Sequence, residues 1–391
     1  MSAEAGPVPL EQSIDQLTAA YVAEVVRPQA AAMASGRGPT PDDVVRVAGD
    51  RGVAGLLVPA EYGGAGASHV EFARFIEAVA RVCASTAVIL DVHLSVGSEP
   101  LLLFGSAEQL RRYLPTLASG RCTTAFALTE PDSGSDAAAL ATRAEPDGEG
   151  YRLTGTKSFI TNCGAAGLYV VMARTDVGTR GITAFIVDAQ SPGLSFGEPL
   201  HKMGLAGSWT AELFLDGVHV AASSRLGEEG AGFGIAMATL DSGRVGISAQ
   251  AVGIAQGCID AVVARARATE TLVDETLLAD IHARTAASRL LTIHAARLAD
   301  TRAPMTREAA IAKLYATDTC VAAAHAAMEL CAPDSVRADH PAAVRLRDAK
   351  ASQIYEGTNQ VQRMVIARTL LRGDLPSHGE TAATGTALRR A

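Results

Sequence analysis

The chain has 391 residues, with 34 lysines and arginines against 42 aspartates and glutamates, and a formal net charge of −8 at pH 7. This acidic balance argues against nucleic acid or an anionic membrane surface as the main partner. The length suggests two or three domains with a sizeable core. Six cysteines without a C-x-x-C pair and nine histidines without metal-ligand spacing predict reduced thiols, a cytoplasmic protein and no metal site.

The first third of the chain has helical periodicity. Apolar residues recur at spacings of four, three and four over residues 9–34, a second helix is predicted over 42–52, and two or three more over 69–119. The first residues are polar and acidic, unlike a signal peptide, and no apolar run reaches the roughly 18 residues of a membrane span. Residues 1–121 are therefore predicted to form a helical domain.

The pattern changes at Cys122. Short β-rich runs separated by Gly, Asp, Asn and Pro predict a small barrel or sandwich over residues 122–228. Long helical periods return over 229–376 and predict a four-helix bundle, and the polar tail 377–391 is predicted to be disordered. The expected fold class is α+β multidomain, with an N-terminal helical domain, a middle small β-barrel domain and a C-terminal four-helix bundle.

One carboxylate stands out near the end of the last long apolar segment. In the stretch SQIYEGTNQVQ, Glu356 lies between Tyr355 and Gly357, just before the pattern of another amphipathic helix. Asn359, with Gln362 three residues on, predicts an N-cap and a capping box. A carboxylate beside glycine, just outside a helix start, can point into a cavity. On this stretch alone, a solvated glutamate in a helix–helix loop is the simpler alternative.

Several separated segments of the chain resemble the acyl-CoA dehydrogenase family. Their order and spacing match over roughly residues 8–374, and motifs in register are far more specific together than singly. The resemblance implies FAD bound between the β domain and the helical bundle, and an electron-transfer flavoprotein as the usual electron acceptor. The segments are AFALTEPDSGSD at 125–136, KSFITN at 157–162, LDSGR at 240–244 and RDAKASQIYEGTNQVQR at 347–363.

The resemblance also implies a reaction. In the family a glutamate removes the proton α to a thioester carbonyl while hydride leaves the β carbon for flavin N5. Short- and medium-chain members take this base from the YEG motif, where Glu356 stands here. Other members keep the base before the arginine of LDSGR, but here that residue is Gly243, which cannot serve. An apolar, flavin-covered site would raise the pKa of Glu356 towards the working pH.

The remaining site residues are expected from the same match of motifs. Taken alone, the PDSGS stretch is more often a plain turn, and an Asp-x-x-Arg pair is more often a surface salt bridge. The residues expected to bind FAD are Phe126, Leu128, Thr129, Gly134, Ser135, Phe159 (where the family usually has tryptophan), Thr161, Thr358 and Gln360. The residues expected to bind the acyl thioester are Ser135, Asp241, Arg244, Tyr355 and Gly357.

Two family features are missing from the sequence. The Arg-x-x-Phe-Gly motif is absent between Arg244 and Leu278, and Gln-x-x-Gly-Gly-x-Gly is replaced around residues 328–336. In the family both hold the FAD of the neighbouring subunit. A weaker FAD site and a homodimer rather than a tetramer are therefore expected, with Arg265 and Arg267 as substitutes for the lost arginine.

Three functions follow from these observations. The first is a flavin-dependent dehydrogenase acting on an acyl-CoA or an acyl-carrier protein. The alternative is an enzyme of the same fold that uses Glu356 as base in a non-redox or flavin-oxygenating reaction. A catalytically silent interaction module is disfavoured by the intact Glu356, Thr129 and Ser135.

Overall fold

The computed structural model describes residues 13–270 and 273–372. In its N-terminal helical part, the predicted helices over 9–34 and 42–52 are confirmed where they are described, and 69–119 holds four helices rather than two or three. π-helical turns at Val22–Val26 and His93–Gly97 interrupt the regular helices. The helices are α1 (Ile14–Tyr21), α2 (Arg27–Ala34), α3 (Pro41–Asp50), α4 (His69–Val82), α5 (Ala84–Val92), α6 (Glu99–Phe104) and α7 (Ala107–Ala118).

The middle part is a mixed sheet of eight strands in the order β6-β7-β3-β2-β4-β5-β8, with β1 parallel to β4. Strands β2 and β8 were not predicted, because β2 is charged rather than alternating and β8 has only two residues. The strands are β1 (Thr124–Ala127), β2 (Arg143–Asp147), β3 (Gly150–Thr161), β4 (Leu168–Arg174), β5 (Ile182–Asp188), β6 (Leu194–Phe196), β7 (Thr210–Ala221) and β8 (Arg225–Leu226).

The two faces of this sheet line separate cores. On β4, Tyr169 and Val171 belong to a core within the β part, whereas Val170 and Met172 pack in a second core with residues of α7. This alternation is the two-residue period of a strand buried on both faces. The sheet is thereby fixed against the helices, which sets the positions of the loops at its edge.

The C-terminal part is helical, as predicted. Its first helix, α8, contains six glycines and packs closely on α4, because a Cβ at Gly253 would lie 2.3 Å from the carbonyl oxygen of Glu77. The predicted tail 377–391 lies outside the described residues. The helices are α8 (Gly232–Thr269), α9 (Glu275–Asp300), α10 (Thr306–Leu330), α11 (Pro341–Ser352) and α12 (Asn359–Arg372).

Two helical stretches of the described chain are long and apolar enough, by length and mean hydropathy, to cross a membrane. They are Ala84–Phe104 and Gly232–Thr269, and neither is a continuous apolar run, because polar residues such as Asp91 and Asp241 interrupt them. In the apolar windows of the two stretches, 83% and 72% of the residues are buried inside the protein. Helices that are apolar all round and buried are typical of the core of a large protein.

Candidate active site

Glu356 lies in the short loop between α11 and α12 with a left-handed backbone. Its φ is 52° and that of the following Gly357 is 87°. A positive φ is uncommon outside glycine, and such conformations concentrate at functional sites where neighbouring contacts hold them. The conformation of this loop therefore has to be maintained by its surroundings.

Two side chains hold the carbonyl groups of the loop. Nζ of Lys313, on α10, donates hydrogen bonds to the carbonyl oxygen of Gly357 (2.8 Å) and to Oδ1 of Asn359 (3.0 Å). Nε2 of Gln362 donates to the carbonyl oxygens of Glu356 (3.2 Å) and Gly357 (2.9 Å). These bonds tie the two left-handed residues to α10 and α12.

The predicted capping box at the start of α12 is wrong by one residue. The N-cap is Thr358, whose Oγ1 accepts the backbone N–H of Val361 at 3.3 Å. Asn359 is the first residue of the helix, and its buried side chain is bonded to Lys313 and Thr317 of α10. Threonine and asparagine both cap helices well. The contacts of the Asn359 side chain with α10 therefore explain why Thr358, and not Asn359, is the N-cap of α12.

Burial raises the pKa of Glu356 to about 7, while the positive charges of Arg244 and Lys313 act to lower it. Burial also lowers the pKa of Lys313 to about 7. Within the described chain, Oε2 of Glu356 has no hydrogen-bond donor. The site therefore contains a carboxyl group poised near neutral pH with one free oxygen, as a general base requires. The solvated loop glutamate considered above is excluded.

Helix α8 forms the wall opposite Glu356. A Cβ at Gly243 would lie only 2.1 Å from Oε2 of Glu356, so the missing side chain makes room for the carboxyl group. On the same helix Arg244 pairs with Oδ1 of Asp241, and Thr306 donates to Oδ2 of Asp241. The side chain of Arg244 is only 6% exposed, so the surface salt bridge considered for this pair is excluded. The structure brings Asp241, Arg244 and Glu356 together.

Tyr355 holds the loop from its other side. Its hydroxyl donates to Oε1 of Gln250 on α8, and Nε2 of Gln250 donates to the carbonyl oxygen of Ala84 at 2.9 Å. Tyr355 is expected from the sequence to bind the acyl thioester, and its hydroxyl group is bonded within the protein. Its geometry favours positioning the loop over contacting a ligand.

A second cluster of predicted residues lies at the edge of the sheet. The register of β3 against β7 shifts between Lys157 and Ile160, and Ser158 in this bulge donates its backbone N–H to the carbonyl oxygen of Thr129 at 2.8 Å. Nζ of the buried Lys157 donates to the carbonyl oxygen of Leu128 (3.1 Å) and to Oε1 of Glu130 (2.7 Å). The bulge therefore joins the AFALTE and KSFITN segments.

Phe159, in the same bulge, is 67% exposed with a φ of 58°. A large aromatic side chain held outwards on a left-handed backbone is unusual for a simple surface position. Nearby, Gly134 and Ser135 are exposed on the tip of the PDSGS turn, and a Cβ at Gly134 would meet nothing within 4 Å. An exposed ring beside Thr129 and an open turn fit the flat ring and the phosphates of FAD.

The other predicted FAD residues are less closely grouped. Phe126 is half-buried on β1, and Thr161, at the end of β3, pairs with Thr210. Thr358 and Gln360 lie at the start of α12, and no hydrogen bond between described residues joins them to the bulge. Their assignment to FAD stays a prediction from the sequence.

The flavin cluster gives a testable expectation. Thr129→Ala and Ser135→Ala should each remove one polar contact worth about 0.5–1.5 kcal/mol, lowering FAD affinity up to about tenfold. Flavin fluorescence after extensive dialysis measures the FAD that each variant and the double variant retain. Unchanged occupancy in the double variant would mean that FAD binds elsewhere.

Comparison with known proteins agrees with this geometry. Models of the acyl-CoA dehydrogenase N-terminal, middle and C-terminal domains match residues 9–121, 125–218 and 230–371. An acyl-CoA dehydrogenase of Bacillus subtilis is 44% identical over 85% of this chain and 90% of its own length. The caffeyl-CoA reductase-Etf complex subunit CarC of Acetobacterium woodii is 37% identical over 86% and 91%. The structure of butyryl-CoA dehydrogenase from Megasphaera elsdenii is 34% identical, with a TM-score of 0.88 over 95% of this chain and 100% of that chain.

The helical–β–helical fold and the matches to all three domain models define a flavin-dependent oxidoreductase that acts on acyl thioesters. The chain belongs to the acyl-CoA dehydrogenase family. It is therefore an FAD-dependent enzyme acting on the CH–CH bond of acyl-CoA thioesters, as the sequence motifs predicted. The predicted fold class and cofactor are confirmed.

Three residues near Glu356 had no predicted role. Lys313 and Asp91 are buried ionisable groups in helices α10 and α5, and Gly246 lies one turn beyond Gly243 on α8. Asp91 is the single charged residue of the apolar helix α5, which is a signal in the sequence, whereas Lys313 is one of five charged residues in α10 and nothing distinguished it. Nothing local indicated that either faces Glu356.

Proposed function

We propose that this chain catalyses the α,β-dehydrogenation of an acyl-CoA with Glu356 as the general base. The observation that carries the proposal is the free Oε2 of Glu356, which faces the side-chain gap at Gly243 and has a pKa raised to about 7. In this assignment Oε2 receives the proton from the α carbon. Bound FAD supplies the hydride acceptor.

The neighbouring cations support this role. Arg244 and Lys313 act on Glu356 electrostatically and favour its ionised form against the effect of burial. Lys313 also fixes the backbone of Gly357, so it keeps the carboxylate in place as well as ionised. Positioning within a fraction of an ångström matters for proton transfer, because a displacement of about 1 Å can lower the rate about 100-fold.

Anaerobic titration of the FAD-loaded protein with butyryl-CoA tests the proposal. Bleaching of the yellow flavin with formation of the α,β-unsaturated thioester is expected. Bound flavin that neither butyryl-CoA nor a butyryl-carrier protein reduces would favour the flavin-oxygenating or non-redox alternative. Comparison of the two thioesters under the same conditions distinguishes CoA from a carrier protein as the carrier of the acyl group.

The electron acceptor in the same proposal is an electron-transfer flavoprotein. One relative, 37% identical to this chain, is named as a subunit of a complex with such a flavoprotein. A cytoplasmic location belongs to the proposal too, and all six cysteines are free thiols. Reoxidation of the butyryl-CoA-reduced enzyme by a purified electron-transfer flavoprotein, followed by flavin absorbance, tests the partner.

We also propose that FAD is held less tightly than in typical members and that the chain forms a homodimer. The candidate substitute Arg265 is occupied within its own chain, donating to the carbonyl oxygens of Ala332 (3.0 Å) and Leu330 (3.4 Å) at the end of α10. Arg267 is exposed near the end of α8. A charge-assisted contact to pyrophosphate is worth about 1.5–3 kcal/mol, so its loss should weaken FAD binding by about one or two orders of magnitude.

Size-exclusion chromatography with light scattering, with and without added FAD, measures both properties. A dimer that loses FAD on dilution is expected. Arg267→Ala should weaken the remaining FAD binding further if this residue has replaced the lost arginine. A stable tetramer that keeps all its flavin would contradict the proposal.

A further inference from the structure

Helix α5 is buried along its whole length, yet it carries one carboxyl group, Asp91, with 0% of its surface exposed. Ser95 donates its hydroxyl to the carbonyl oxygen of Asp91 (2.7 Å) and to its Oδ1 (3.2 Å). Oδ2 of Asp91 has no hydrogen-bond partner in the part of the chain that the structure describes. A buried polar group without a partner is costly, and a hydrogen-bond donor on a ligand would remove that cost.

Asp91 faces the same side of α8 as Glu356. A Cβ at Gly246 would lie 1.8 Å from Oδ1 of Asp91, just as one at Gly243 would lie 2.1 Å from Oε2 of Glu356. Residues three apart share a helix face, and three residues advance about 4.5 Å along the axis. The two carboxyl groups therefore lie about one turn apart along one wall.

The direction of this offset matters for a bound thioester. Asp241, expected from the family resemblance to meet the pantetheine, lies towards the start of α8, and Gly246 lies towards its end. Asp91 is therefore on the opposite side of Glu356 from the pantetheine. An acyl chain that presents its α carbon to Glu356 extends its far end towards Asp91.

The lining beside Glu356 includes an apolar side chain, Val96. Cγ1 of Val96 would lie 2.7 Å from a Cβ at Gly243, beside the proposed base. Val96 belongs to the π-helical turn His93–Gly97 that follows α5, and such turns often mark functional sites. The wall thus changes from apolar beside the reacting carbons to acidic at the far end.

The charge around Asp91 is negative. Burial is the main cause that raises the pKa of Asp91 well above its usual range. Among the described residues, the charged groups that act on it are the carboxyl groups of Glu356 and Glu99, which raise this pKa further. Arg244 and Lys313 act on Glu356 instead. A protonated amine complements this end of the site when Asp91 is ionised, and a hydroxyl, which both donates and accepts, can pair with the carboxyl group in either protonation state.

We propose that Asp91 binds a hydrogen-bond donor, a hydroxyl or a protonated amine, carried roughly three or four bonds beyond the α carbon of the acyl group, as the offset of about 4.5 Å indicates. The enzyme is then selective for short acyl thioesters with a polar terminus over plain aliphatic ones. This inference rests on the proposed dehydrogenase function and adds the substrate class.

Binding of unreactive CoA thioethers tests the inference without turnover. The probes S-pentyl-CoA, S-(4-hydroxybutyl)-CoA and S-(4-aminobutyl)-CoA differ only in the terminal group, and calorimetric titration of the FAD-loaded enzyme gives their Kd values. We expect the hydroxyl probe to bind at least about fivefold tighter than S-pentyl-CoA, or the amine probe at least about tenfold tighter. The tighter probe identifies the donor. Binding of neither probe more tightly than S-pentyl-CoA overturns the proposal.

Variants locate the effect. Asp91→Val should abolish the preference for both polar probes, whereas Asp91→Asn should keep a hydroxyl preference and lose an amine preference. Asp348→Asn is the matched control, because Asp348 is a buried carboxyl group on α11 whose Oδ1 accepts the N–H of Leu205 at 2.6 Å, and it should leave the preference unchanged. A preference that persists in Asp91→Val overturns the proposal.

Bleaching by butyryl-CoA without any donor preference overturns this inference alone and leaves the dehydrogenase function intact.

Discussion

Glu356→Gln is expected to slow the reduction of bound flavin by butyryl-CoA at least about 100-fold, with FAD retained. The amide keeps the size of the side chain but cannot accept the α proton. The free Oε2 and the raised pKa of Glu356 suit it to accept the proton. Gly243, the other position from which the family resemblance would take a base, has no side chain. Anaerobic stopped-flow absorbance of the flavin measures the rate.

The pH dependence provides the control for this prediction. The base works in its ionised form, so a pKa of about 7 predicts that reduction at low substrate concentration rises with pH and is half-maximal near pH 7. Activity is therefore present above this pKa and lost below it. Glu356→Gln should lack this dependence. Near-wild-type reduction in the variant would assign the base to another residue.

Gly243→Ala is expected to lower the rate of flavin reduction at least about tenfold while the fold and FAD content are kept. The new methyl group would lie 2.1 Å from Oε2 of Glu356 and 2.7 Å from Cγ1 of Val96, so the carboxyl group must move. Misplacement of a catalytic group by about 1 Å can cost about 100-fold. Alanine favours a helix over glycine by about 1 kcal/mol, so weaker helix formation cannot explain the loss.

The same helix offers a matched control for this substitution. Gly234 is also in α8, and a Cβ there would meet nothing within 4 Å. Gly234→Ala makes the same chemical change without touching Glu356, so the flavin of this variant should be reduced at the wild-type rate. Equal rates in both variants would show that the Glu356 carboxyl group does not need the space at Gly243.

The sequence alone predicted the order of the helical, β and helical parts of the fold. It also predicted that Glu356 and residues of α8 share one site. Apolar periodicity located the long helices, and the motifs in register brought Asp241 and Arg244 to the same site. Strand β2 was not predicted because its charged sequence has no apolar alternation to detect. Such patterns identify elements whose own residues carry the signal.

Contacts between distant segments could not be predicted in the same way. Lys313 bonds to Gly357, 44 residues away, and Asp91 faces Gly246 from another domain. No local pattern indicates which buried charge meets which loop. The predicted position of the N-cap was wrong for the same reason, since the contact of Asn359 with α10 outweighed its capping preference. Arg265 likewise donates a hydrogen bond to a backbone carbonyl oxygen at the end of α10, a contact that no local pattern predicted.

The six glycines of α8 bear on how the protein folds. Each is less favourable in a helix than alanine by about 1 kcal/mol, and isolated helices are only marginally stable even with good sequences. This helix of 38 residues is therefore imposed by its neighbours more than by its own preference. We infer that α8 needs its packing partners, helix α4 among them, in order to be helical. The wall that faces Glu356 and Asp91 then exists only in the fully assembled chain.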